Sequence, residues 1–270
     1  MLHFYKFSSE VEAPVPAREV YEKRGSGKGW PEECPPIRAA NSFGWDVLAS
    51  FEMVFHREKD GSFRLENEVQ VESDWLYGPG AEGGESSHEG HAHAAGEECH
   101  EGPEGGGVPL TQKNAWFWDK DQMLPHVISP EVYPHLRNQV KVSTFLFMGT
   151  DPNELLFITD IPNVTRPFRA LTALVDADWY PASYPWHCVL ELNASEKKIV
   201  IEKGAPLCRL MTVRRDTYFA KEMSVAEFEI FFQRGQEWLA RHGKGEPSGM
   251  MDITRTYVRQ QQRSRFSVIV

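Results

Sequence analysis

The chain reads as a mainly β protein: a β-sandwich or distorted jelly-roll with an internal pseudo-repeat and one C-terminal amphipathic helix. Three observations predict this. Short apolar runs recur along most of the 270 residues, separated by Gly-, Pro-, Asn- and Asp-bearing turn signals. One phrase occurs twice, a hundred residues apart, each time at the end of an apolar run: Asp74-Trp75 after residues 69–71, and Asp178-Trp179 after residues 173–175. Helical periodicity is strong only once, near the C-terminus.

The elements follow in order. Residues 2–7 form a strand, and a Pro-rich polar connection runs on through Pro36. Within it, Gly25-Ser26-Gly27-Lys28-Gly29 has half the look of a phosphate-binding loop. It lacks the first glycine at the right spacing, the Ser or Thr after the lysine, and a preceding buried strand, so it is a loop and not a nucleotide site. Residues 45–77 make a hairpin, with the Asp60-Gly61 turn between two apolar stretches. Six further strands are expected at 140–148, 155–161, 168–179, 187–193, 198–202 and 207–213. Ser224 and Glu227 spell a capping box. Phe228, Phe231, Phe232, Trp238 and Leu239 then share one helix face up to a stop at Gly243, and that face is expected to dock on the sandwich. The resulting organisation is an N-terminal strand and connection over 1–33, a sandwich domain over 34–215, and a helix with a basic tail over 216–270.

Residues 78–107 are different material: ten Gly, seven Glu and four His, with no apolar side chain larger than Ala or Cys. Such a stretch has little to bury against the entropy of ordering, so a mobile excursion is expected. Its seven Glu account for most of the formal charge of −10, leaving −3 for the rest of the chain. A nearly neutral body offers no field for nucleic acid or membrane surfaces. The first twenty residues carry no basic start followed by an apolar run, and no stretch has the length of a membrane span. Cys34, Cys99, Cys188 and Cys208 are scattered without a C-x-x-C pair. Reduced thiols in a cytoplasmic protein are the expectation.

Three constellations bear on chemistry. His88, His91, His93 and His100, with Cys99, supply imidazole and thiolate donors suited to a divalent transition metal. Nothing in that tract fixes a geometry or an outer shell, and a solvated low-complexity loop is the weightier reading. The two Asp-Trp pairs place a carboxylate beside an indole, either lining a cleft or capping the turn that follows; the turn-capping reading carries more weight. Finally, His187 at a strand start follows Asp178 closely, as the seed of an acid–base or metal site or as a packing residue. The tight His-x-His or His-x-carboxylate pattern of facial-triad enzymes is missing there.

The stretch Ala40-Asn41-Ser42-Phe43-Gly44-Trp45 before an apolar strand resembles the A-N-x-x-G-W opening of a bacterial family catalogued only as a domain of unknown function. Asp176-Ala177-Asp178-Trp179-Tyr180-Pro181 and Gly204-Ala205-Pro206-Leu207-Cys208 are similar to that family's E-T-D-W-L-P and G-E-P-F-C motifs. The resemblance spans about residues 34–215, and the His/Glu/Gly excursion departs from it. It implies a β-rich fold and no assigned activity.

Two functions follow as expectations. One is a small-molecule enzyme, with or without a metal, whose cleft at one end of the sandwich is walled by Asn41, Trp45 and Trp179 and worked by Asp178 and His187. The other is a non-catalytic ligand-binding or assembly module that uses the Trp-rich strand ends and the C-terminal helix.

Overall fold

The computed structural model describes residues 1–18, 34–73, 111–117, 134–180, 184–245, 251–252 and 254–266. Asp74, Trp75 and the tract carrying His88, His91, His93, Cys99 and His100 fall outside them, as does residue range 25–29. The chain divides into two units: Met1–Ala17 with Gly44–Arg215, and Arg18–Phe43 with Asp216–Val270.

The first unit is built of strands. They are β1 (Leu2–Lys6), β2 (Val15–Pro16), β3 (Trp45–Leu48), β4 (Met53–Arg57), β5 (Phe63–Leu65), β6 (Gln70–Glu72), β7 (Thr111–Lys113) and β8 (Ala115–Phe117). Next come β9 (Gln139–Ser143), β10 (Leu146–Thr150), β11 (Glu154–Thr159), β12 (Phe168–Ala170), β13 (Ala173–Val175), β14 (His187–Leu192), β15 (Lys198–Ile201) and β16 (Pro206–Arg214). A five-stranded sheet runs β13-β11-β16-β3-β2 and a four-stranded sheet runs β12-β14-β9-β8. A three-stranded sheet, β15-β4-β5, and the pairs β1-β10 and β6-β7 complete the unit.

Period-two alternation sets which face is buried. On β14 the residues Cys188, Leu190 and Leu192 are buried, and their neighbours His187, Val189 and Glu191 are only partly covered. Leu156, Ile158 and Leu210 do the same for the five-stranded sheet, and Met53, Phe55, Ile199 and Ile201 for the three-stranded one. All of these side chains belong to one buried cluster, so the sheets close over a shared core.

Several runs that read as single strands are broken in two, and each break is a corner. Residues 168–179 divide into β12, which pairs with β14, and β13, which pairs with β11, so the chain changes sheets between them. Residues 47–56 divide likewise between β3 and β4. At 140–148 the corner is Phe145, whose φ of 53° is unusual for a bulky residue. It is held because the ring is buried against Phe51 at 5.5 Å, and because the Ser143 hydroxyl accepts the Phe145 N–H. Between β5 and β6 the carboxamide of Asn67 replaces a strand neighbour: its oxygen accepts the Val54 N–H at 2.9 Å and its NH2 donates to the Glu52 carbonyl. Asn114, fully buried, bridges Asn67 and Val69 in the same manner. Apolar residues continue through these points in the sequence, so no polar gap marks the corners.

β6, which leads to the first Asp-Trp phrase, belongs to the β6-β7 ribbon, while β13, which leads to the second, edges the five-stranded sheet.

The second unit holds α1 (Pro35–Asn41), α2 (Val225–His242) and α3 (Thr254–Phe266), with a two-residue pairing of β17 (Lys244–Gly245) and β18 (Met251–Asp252). α1 and α3 pack together. α1 starts on two prolines, which suit the first helical positions because their missing N–H groups would be unbonded there. α2 has the expected capping box, with Ser224 accepting from the Glu227 N–H and the Glu227 side chain accepting from the Ser224 N–H. Its aromatic face, expected to be buried, is not: no residue of α2 is buried, Phe228, Phe231 and Phe232 are exposed, and Trp238 and Leu239 are partly covered.

Candidate functional site

The Asp178-Trp179 turn is fixed from below by charge. β13 ends at Val175, and the Asp176 carbonyl accepts the N–H groups of Trp179 and Tyr180, curling the chain. Arg215, just past β16, forks onto both carboxylates, donating to Asp176 and, at 2.6 Å, to Asp178. The second Asp178 oxygen accepts the Asn153 N–H at 3.2 Å, and the Arg215 N–H returns to the Asn153 carbonyl. The guanidinium holds the Asp178 carboxyl below the usual carboxylate range. Asp178 is therefore an ionised anchor with its lone pairs engaged, and Trp179, the next residue, is thrust outward at 65% exposure.

From Trp179 a band of aromatic rings leads back into the four-stranded sheet. Trp179 meets Tyr180 at 6.3 Å, and Tyr180 meets Trp186 at 6.1 Å, both edge-on. The Tyr180 and Tyr184 hydroxyls are 3.1 Å apart. Trp186 is locked down, its ring N–H donating to the Met148 carbonyl and its own carbonyl accepting from both the N–H and the hydroxyl of Thr144. Trp179, Tyr180 and Tyr184 are exposed, so one side of the band faces solvent.

His187 closes the inner end. It opens β14 opposite Ser143, with the Trp116 ring edge-on at 4.6 Å and the Tyr184 ring at 6.1 Å. The side-chain NH2 of Gln112 lies 2.8 Å from Nε2, which makes that nitrogen the acceptor and leaves the ring proton on Nδ1. Burial, with the Lys141 ammonium second, pushes the imidazole down to about 4, so it is neutral at pH 7.

The structure thus links Trp179 and His187 through Tyr180 and Tyr184. Trp45 stands elsewhere, exposed at the start of β3 opposite Leu210 and Pro16. Asn41 ends α1 in the second unit. Gln112, Trp116, Tyr184 and Arg215 were not singled out from sequence. The one available signal was the doubled Tyr-Pro at Tyr180-Pro181 and Tyr184-Pro185, an aromatic repeat four residues apart. Among the described residues no three His, Cys, Asp or Glu side chains converge as metal ligands, and no helix is long and apolar enough to cross a membrane.

No family model matches the chain. No curated protein matches it either. Among solved structures it is similar to the dUTPase from phage phi11 of Staphylococcus aureus, with 8% identity, a TM-score of 0.33, and coverage of 83% of this chain and 96% of that one. It is also similar to the dUTPase of Staphylococcus bacteriophage 80alpha with dUPNHPP, at 9% identity and a TM-score of 0.34, covering 83% and 88%. At that identity and TM-score the likeness assigns no site, ligand or activity to this chain.

Proposed function

We propose that the chain is a ligand-binding module whose contact surface is the aromatic band from Trp179 to His187. Its ligand in this reading is a small cyclic molecule with an apolar face and hydroxyl substituents. The observation that carries it is the exposure of three linked aromatic side chains, Trp179, Tyr180 and Tyr184, on a backbone pinned by Arg215 and Trp186. Exposed rings held rigidly offer stacking area at small entropic cost. The paired Tyr180 and Tyr184 hydroxyls add a donor and an acceptor that can orient a polar substituent.

Binding fits the geometry better than catalysis. Asp178 already shares its charge with Arg215, and an imidazole held near 4 is a weak base at neutral pH. In this reading Asp178 positions Trp179, and His187 with Gln112 forms a neutral floor.

The test is saturation-transfer NMR against a panel of hexoses, nucleosides and phenols, followed by titration of any hit. Trp179→Ala should weaken binding by roughly tenfold or more, the scale of one stacking contact. Trp45→Ala, outside the band, should leave it unchanged. Affinity equal to the parent's in both Trp179→Ala and Tyr184→Ala, or a panel without hits, removes the proposal.

A further inference from the structure

Cys188 and Cys208 belong to different sheets and meet inside the core. Cys188 sits on β14, in the four-stranded sheet, opposite Val142. Cys208 sits on β16, in the five-stranded sheet, opposite Val47. Both valines are buried, and residues opposite one another on neighbouring strands share a face, so both thiols point into the shared core. Each is a free, buried thiol, and the two are hydrogen-bonded to each other. Stacked sheets ordinarily lie about 10 Å apart, too far for a bridge between two cysteines, whose Cα atoms must come within about 7 Å. Here a corner of the chain closes the gap. The Leu171 N–H donates to the Val189 carbonyl, beside Cys188. Two residues later Ala173 pairs with Ile158 of β11, whose Thr159 pairs with Arg209, beside Cys208. β12 accordingly packs against β16 as well as pairing with β14. The Asp160 carboxylate fastens the corner by accepting from the Ala170 N–H and from Arg166, and Arg166 also donates to the Leu207 carbonyl, next to Cys208.

We propose that Cys188 and Cys208 form a disulfide between the sheets when the chain folds in the presence of a small-molecule disulfide such as oxidised glutathione. One cysteine thiolate of the unfolded chain attacks a sulfur of the oxidant, releasing one glutathione thiolate and leaving a mixed disulfide. As the core closes, the second cysteine thiolate attacks the protein sulfur of that mixed disulfide and releases the second glutathione. Two protein thiols are oxidised, one small disulfide is reduced by the same two electrons, and the two protons pass through solvent to the released thiolates. The step belongs to folding because the finished core blocks it. Neither sulfur is open to an oxidant, and the hydrogen bond with Cys188, then burial, suppress the Cys208 thiolate. The same burial shields the bond, once formed, from reducing thiols. The pair therefore records whether the chain folded under oxidising conditions. This inference is independent of the ligand-binding reading, since no residue of the aromatic band takes part.

The experiment refolds the full chain from urea in a mixture of oxidised and reduced glutathione, blocks the remaining thiols with N-ethylmaleimide in denaturant, and maps the peptides by mass spectrometry. Cys188 and Cys208 should be unblocked and joined to each other. In urea the bridged chain should have a folding equilibrium constant roughly 100-fold above that of the same chain refolded and kept in a phosphine reductant, the scale for closing a loop of about 20 residues. Native reduced protein placed in the same glutathione mixture should form the bond more slowly than the refolding chain does. Blocked or glutathione-bearing Cys188 and Cys208 in the refolded chain overturn the proposal. A bridged chain less stable than the reduced one, or equal rates of bridging in native and refolding protein, overturns it as well.

Discussion

Arg209 and Asp46 face each other directly across the β3–β16 pair, with the guanidinium only 1% exposed and donating to both carboxylate oxygens. Two opposite charges removed from water are stable only together, because each alone would have its full desolvation penalty uncompensated. Asp46→Ala should therefore lower unfolding stability by roughly 3–5 kcal/mol. The double variant Asp46→Leu with Arg209→Met should recover most of that loss. Urea unfolding of Asp46→Leu, of Arg209→Met and of the double gives the coupling energy.

Gly44 leads into β3 at a φ of +97°, and its carbonyl accepts the Ala17 N–H at 2.9 Å. A Cβ there would lie 2.4 Å from the Leu210 carbonyl oxygen, which belongs to a paired strand and cannot yield. Gly44→Ala should destabilise by about 2 kcal/mol or more, since positive-φ strain and a backbone clash act together. Gly61→Ala is the contrast. It shares a positive φ of +87°, but its Cβ would meet only the Arg57 side-chain end at 3.8 Å, so it should cost about 1 kcal/mol. Equal midpoints in urea for the two would show that the Gly44 cradle relaxes.

What could be read from the sequence is what depends on neighbours along the chain. The Asp60-Gly61 turn appears with Ser62 donating to the Asp60 carboxylate, and the Ser224–Glu227 box appears with both of its hydrogen bonds. The corners were hidden because apolar residues continue from 168 to 175 while the chain changes sheets after Ala170. The candidate site was half legible. Asp178, Trp179 and His187 stand out as residue types, but Arg215 and Gln112 reach them over 37 and 75 positions, a pairing that no local pattern records. The α2 stripe was legible and its cover was not, because periodicity shows where a helix is apolar and not what lies against it.

The three described cysteines should differ sharply in reactivity. Cys34 is exposed, whereas Cys188 and Cys208 lie buried on facing strands of the core. Hydrogen bonding with Cys188, then burial, pushes the Cys208 thiol well above its ordinary range, which suppresses the thiolate that an alkylating reagent needs. Iodoacetamide on the native protein should modify Cys34 and spare the other two, with Cys188 and Cys208 labelled only in denaturant. Native labelling at Cys208, read by mass spectrometry, would show that the core opens on the labelling timescale.

His187 makes stability depend on pH in a window that its own environment sets. In the unfolded chain the imidazole titrates near 6.5, and in the folded protein burial and the Lys141 ammonium lower it to about 4. Between those values the unfolded chain binds the proton and the folded protein does not, so the slope of stability against pH is positive there. The contribution is complete above about pH 6.5, falls as the pH drops, and is lost by about pH 4, amounting to a few kcal/mol. Other groups titrate in the same range, so the comparison is with His187→Gln, which keeps a polar side chain and has nothing to protonate. Between pH 7 and pH 4.5 the parent should lose more stability in urea than this variant does. Parallel losses in the two would mean that the folded imidazole takes up its proton as easily as the unfolded one. In that case Gln112 and Trp116 would not be holding it as a neutral acceptor at the base of the aromatic band.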